Sequence, residues 1–348
     1  MKSRTWITAF TLGLILMTGR AHSADKTAAA KAAYPEHGKI VRLDAGLDAI
    51  VPKEAKMERL ADGLDWSEGP VWSKKGGYLL FSDIPRNQIV KWQEGSGKSA
   101  FIEKAGYTGD AKFTGGEPGT NGLAFDSSGN LVTCAHGDRV VRSIAGGKPD
   151  GERKVLAVKY EGKRLNSPND LVFKSNGDLY FTDPPYGLPK QYDDPGRELD
   201  WCGVYRIGKD GKLTLLTKEM TRPNGIAFSP DEKTLYVANS DPKLAIWKAF
   251  PVKDDGTLGE GKTILDVTEH VGKWPGLPDG MKVDTKGNVY ATGPGGVWIL
   301  TADGKPLGRL DTGEATANCG WGDDGSTLYI TADMYLLRIK LAARGLGS

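Results

Sequence analysis

The 348-residue sequence has only three cysteines, Cys134, Cys202 and Cys319, and four histidines. An odd number of thiols without Cys-x-x-Cys spacing argues against a disulfide scaffold and against a cysteine zinc site. Each cysteine falls in or beside a strand-like segment, so buried free thiols are expected. The histidines form no close-spaced pair, which makes a histidine zinc centre a poor expectation. There is no G-x-S-x-G elbow, which argues against a serine esterase. Charge of one sign is also scarce: the formal net charge is +2. Removing residues 1–23 takes away Lys2, Arg4 and Arg20 and no acidic residue, leaving −1. Such a surface gives no argument for nucleic acid or an anionic membrane as partner. The one long apolar run, 6–17, falls short of the roughly 20 residues a membrane span needs. With Lys2 and Arg4 before it and Ala21-His22-Ser23 after it, residues 1–23 read as a secretory signal peptide, which predicts a periplasmic or secreted protein. Residues 24–38, rich in Ala and Lys, read as a flexible leader, and 39–348 as one domain.

Helical periodicity is scarce too, which leaves no material for a helical or α/β solenoid. What recurs is an apolar strand, a polar turn and a second apolar strand. Six copies begin at Glu68, Asn121, Asn169, Asn224, Asp279 and Ala317, separated by 53, 48, 55, 55 and 38 residues. Each places a large apolar residue four positions on: Trp72, Phe125, Phe173, Phe228, Val283 and Trp321. Most of the turns carry Gly, Asn or Asp, the residues that tolerate positive φ in a hairpin. Periods of about 40 to 55 residues built from hairpins predict an all-β, six-bladed β-propeller.

In such a ring the innermost strands line a central channel, so equivalent positions converge on the axis. The first residues of five copies carry side-chain oxygens: Glu68, Asn121, Asn169, Asn224 and Asp279. Buried carboxylates are costly unless paired or bound to a cation. Two carboxylates with several amide oxygens suit a hard ion, with Ca2+ the expectation. A central metal site is therefore predicted.

The segments SEGPVW (67–72), NSPNDLVF (166–173), FTDPPYG (181–187), RPNGIAFSPD (222–231) and LPDGM (277–281) together resemble the senescence marker protein, gluconolactonase and regucalcin family, its bacterial gluconolactonase branch above all. The resemblance implies a divalent cation, Ca2+ or another such as Zn2+, Mn2+ or Mg2+, held by Glu68, Asn169, Asn224 and Asp279, and a sugar lactone as substrate. Asp279 is then the catalytic residue, as base or as orienter of the attacking water. Asn121, His136, Asn169 and Tyr186 are expected to bind substrate. The arginine that regucalcins place two residues before the Asn-Asp pair is Ser167 here, so Arg164 is the nearest substitute. Two other functions share the scaffold: an organophosphate-hydrolysing phosphotriesterase of the diisopropyl-fluorophosphatase type, and a non-catalytic binding propeller with a structural cation.

Overall fold

A computed structural model describes residues 34–346. Six antiparallel sheets follow one another along the chain, each of at least four strands, in the predicted propeller order. The innermost strands are Ser67–Ser73, Thr120–Phe125, Leu171–Phe173, Pro223–Phe228, Met281–Val283 and Thr316–Gly322. They open blades 1 to 6 in turn.

The second strand of each blade is sandwiched by its neighbours on both faces, so it is apolar almost throughout. Leu79, Leu80 and Phe81 of blade 1 are all fully buried. Between blades 2 and 3, Val132, Cys134 and Val141 pack with Phe181 and Tyr205. Between blades 4 and 5, Trp247 meets Trp298. The three cysteines are buried and unbridged among such residues.

The turns behave as their residues require. Gly177, in the blade 3 turn, sits at φ +93°, a region that L side chains disfavour. Blade 4 has no glycine there, and Glu232 adopts φ +55° instead. Its carboxylate is anchored by the backbone N–H and hydroxyl of Ser175 and by Lys174 Nζ of blade 3, which offsets the strain.

One feature of the ring is not visible in the repeats. The outer strand of blade 6 comes from the other end of the chain: Met57–Ala61 pairs antiparallel with Tyr335–Lys340, with Met57 opposite Ile339. Lys39–Arg42 adds a fifth strand to blade 5 beside Pro306–Asp311. Residues 34–38, assigned to the leader by composition, run along the same edge. The Arg59 N–H donates to Pro35 O at 2.9 Å, the His37 N–H donates to Met57 O at 2.9 Å, and the Tyr34 ring lies 6.3 Å from Trp92. The signal-peptide segment and the rest of the leader lie outside the described residues.

The two mouths of the channel differ in chemistry. At one, Trp72, Phe125, Phe173, Phe228 and Trp321 line apolar cavities of about 780 and 850 Å3. At the other, a pocket of about 390 Å3 gathers most of the predicted polar residues.

Candidate metal centre and pocket

The Asn-Gly and Glu-Gly pairs that open blades 1, 2 and 4 lie inside strands rather than in turns. They lie at irregularities in the innermost strands, where the pairing register shifts between Glu68 and Val71, Thr120 and Leu123, and Pro223 and Ile226. A bulge bends its strand and re-aims a side chain. Here it sends the first residue of the repeat into the channel mouth. Hydroxyls on second strands lock the result to the next blade. Ser82 Oγ donates to Asn121 O at 2.8 Å, Thr182 Oγ1 to Asn224 O at 2.8 Å, and Thr292 Oγ1 to Ala317 O at 2.9 Å.

Glu68, Asn121, Asn169, Asn224 and Asp279 all line this one pocket. Glu68 and Asn169 are each only 1% exposed. Glu68 Oε2 accepts hydrogen bonds from the Gly69 N–H at 2.6 Å and from Asn318 Nδ2 at 3.0 Å. By contrast, the Oδ1 atoms of Asn121, Asn169, Asn224 and Asp279 are buried without a hydrogen-bond donor. An orphaned buried oxygen costs about 1–3 kcal/mol, and four converging on one spot need a common partner. Their chemistry fits a hard, oxygen-seeking cation. No three His, Cys, Asp or Glu gather as metal ligands among the described residues, so amide oxygens make up half of the predicted set.

The electrostatics agree. Burial, and then the nearby Asp170 charge, push the Glu68 carboxyl well above the ordinary range. Burial, and then Glu68 itself, do the same to Asp279. These carboxylates crowd together with too little compensating positive charge from the protein.

Around this ring the pocket wall is built by loops. Glu117, Tyr186, Gln191 and Arg222 line it. Burial pushes the Tyr186 phenol up, and Ser240 hydrogen-bonds to it. Arg222 is the one basic side chain lining the pocket among the described residues. Sequence reasoning passed over Arg222, although it stands directly before the Pro-Asn-Gly of blade 4. Glu117 was equally out of reach, because its loop lies outside the repeat.

Two predicted binding residues are not part of the lining. Arg164 reaches Asp138 O with Nη2 at 3.1 Å, and its backbone N–H donates to Glu198. His136 is wholly buried behind the wall, between Glu117 and Asn169.

A six-bladed propeller with an oxygen-rich ring at one channel mouth defines the class of molecule. Residues 66–333 match the family described as SMP-30/Gluconolactonase/LRE-like region, and the chain belongs to that family. A gluconolactonase of Zymomonas mobilis is 38% identical over 319 residues, covering 88% of this chain and 87% of its own. The solved gluconolactonase of Xanthomonas campestris has a TM-score of 0.76 at 32% identity, covering 90% of this chain and 99% of its own. A pentonolactonase of Haloferax volcanii is 25% identical over 76% of this chain and 80% of its own.

Proposed function

We propose that this protein is a cation-dependent hydrolase that opens sugar lactones. Two of the relatives are gluconolactonases and a third is a pentonolactonase, which supports a sugar lactone as substrate. The observation that carries the cation is the donorless Oδ1 atom on each of Asn169, Asn224 and Asp279, beside the buried Glu68 carboxylate. Glu68, Asn169, Asn224 and Asp279 would hold it, with calcium the first choice for an all-oxygen, amide-rich set. When bound, such an ion polarises a carbonyl and stabilises developing negative charge.

The chain's own groups do the rest. Asp279, half-buried at the pocket floor, orients the attacking water toward the lactone carbonyl. Asn121 and Tyr186 offer hydrogen bonds to the sugar hydroxyls. Trp66 and Leu277 line the same pocket and shield it from bulk water. Export rests on residues 1–23, and N-terminal sequencing of the protein from its native cells tests it: a start after Ser23 supports export, and an intact Met1 opposes it.

The test of function is acid release from gluconolactone by chelator-stripped protein, with and without calcium. Cation-dependent turnover is expected, falling about a thousandfold in Asp279→Ala and Glu68→Ala. Absence of turnover on any sugar lactone, with calcium bound, overturns the lactonase reading.

A further inference from the structure

His136 is neither on the ring nor in the pocket lining, yet it touches both. Its imidazole is fully buried. Nδ1 lies 2.9 Å from Oε2 of the wall residue Glu117, at ion-pairing distance but short of hydrogen-bond alignment. Nε2 lies 3.5 Å from Asn169 Nδ2. The imidazole has little freedom to swing away. The His136 backbone N–H donates to Gly119 O, and a side chain at Gly187 would come within 2.6 Å of the His136 Cβ, so that loop packs directly on it.

An amide can present either end, because half a turn about its terminal torsion exchanges C=O for NH2. Which end faces the channel is decided by the partner at the other end. Between the two tautomers, the Glu117 carboxylate beside Nδ1 favours the one with its proton on Nδ1. Nε2 then carries a lone pair and can only accept. The Asn169 NH2 group is therefore drawn toward His136. Its Oδ1, left without a donor, is turned the other way. Of the three asparagines on the ring, Asn169 is the one whose side-chain nitrogen meets such a partner.

We propose that His136 is a positioning residue that sets the Asn169 amide with its oxygen toward the cation site, while Glu117 fixes the His136 tautomer. This rests on the proposed cation site and assigns His136 no contact with substrate. It differs from the sugar-binding role expected from its place after the second strand of blade 2. The arrangement parallels metal-ligating histidines oriented by a carboxylate behind them, with an amide in the ligand's place.

Isothermal titration of calcium into the stripped full-length protein tests this with two substitutions that divide the two ring nitrogens. In His136→Asn the amide nitrogen reproduces Nδ1 and keeps its donor toward Glu117, but nothing reaches Asn169. In His136→Gln the amide oxygen reproduces Nε2 and accepts from Asn169. The expected result is calcium affinity within about threefold of wild type for glutamine and a loss of about tenfold or more for asparagine. Glu117→Gln, at a partly exposed site that tolerates change, is expected to weaken calcium by a few fold with the fold intact, and decides the matter if His136→Asn does not fold. Wild-type affinity in His136→Asn, or equal losses in both His136 variants, overturns the positioning role. No calcium uptake by wild type overturns the cation site itself, a distinguishable result.

Discussion

Blades 3 and 6 differ from the other four at the second residue of the repeat. Blades 1, 2, 4 and 5 have Gly69, Gly122, Gly225 and Gly280, whereas blades 3 and 6 have Asp170 and Asn318. The four glycines sit where blades touch at the axis. A Cβ on Gly225 would fall 2.1 Å from Asp279 O, and one on Gly69 would fall 2.1 Å from Asn121 O. Blades 3 and 6, opposite one another in the ring, instead place a buried polar side chain there. Their local geometry is the same. Asp170 Oδ1 accepts from the Leu171 N–H at 2.9 Å, and Asn318 Oδ1 from the Cys319 N–H at 2.9 Å. Asn318 Nδ2 also donates to Glu68 Oε2 at 3.0 Å, across the seam from blade 6 to blade 1. A sixfold backbone thus carries twofold side-chain chemistry, and the departures from the repeat fall at the site.

That contrast can be broken most severely at Gly225. Gly225→Ala meets backbone, which cannot yield, and is expected to cost 3 kcal/mol or more, about the scale of the severest core substitutions. A melting temperature within a few degrees of wild type would show that the blades can part at the axis. Gly280→Ala is expected to be destabilising for a different reason. Its Cβ would lie 1.9 Å from Cγ of Asn318, a side chain, so Asn318→Ala should restore much of the stability. Additive losses in the double variant would contradict that contact. Asn318→Ala alone leaves Glu68 Oε2 without that side-chain donor and should reduce calcium affinity about tenfold, read by titration.

A milder test compares blade 3 with blade 4. Asp183 and Asn239 do the same work at the end of the second strand: Asp183 Oδ2 accepts from the Asn166 N–H, and Asn239 Oδ1 from the Arg222 N–H, each at 2.8 Å. Burial pushes the Asp183 carboxyl up to about 7. A carboxyl raised on folding favours the protonated native state. Its contribution is therefore complete below about pH 4, the ordinary aspartate range, and is lost as pH rises toward 7. Asp183→Asn should flatten the dependence of melting temperature on pH between 4 and 7 and raise stability at pH 8. An unchanged slope would mean that Arg139 and Arg197 already neutralise the charge. The smallest effect belongs to Arg164. Arg164→Ala should leave KM for the lactone within about twofold, because its guanidinium is turned to Asp138 O rather than to the pocket.

The fold and the ring were legible because both are repeated. Hairpin punctuation and the apolar residue at the fifth position recur six times, and that register also placed Glu68, Asn121, Asn169, Asn224 and Asp279 in one pocket. Asp170 and Asn318 were in plain view in the aligned copies. They went unread because attention fell on the first residue of each copy; Asp170 stands just before the strand Leu171–Phe173, and Asn318 at the register shift inside Thr316–Gly322. The pocket wall was illegible for the opposite reason. Glu117 and Gln191 stand on loops with no counterpart in other blades, and nothing in a single sequence says where such loops fold back. The strand Met57–Ala61 escaped because its partner is remote in sequence.

That remote pairing governs how the molecule must be made. Met57 waits opposite Ile339, across almost the whole chain, so the ring cannot shut until the final strands have been synthesised. Blades 1 to 5 can assemble from local hairpins while the chain grows, but blade 6 lacks its outer strand until the two ends meet. Closing so long a loop is entropically slow and leaves sheet edges uncovered in the interval. Folding should therefore finish with a single late, rate-limiting clasp, and the half-closed ring is the species most exposed to aggregation and proteolysis.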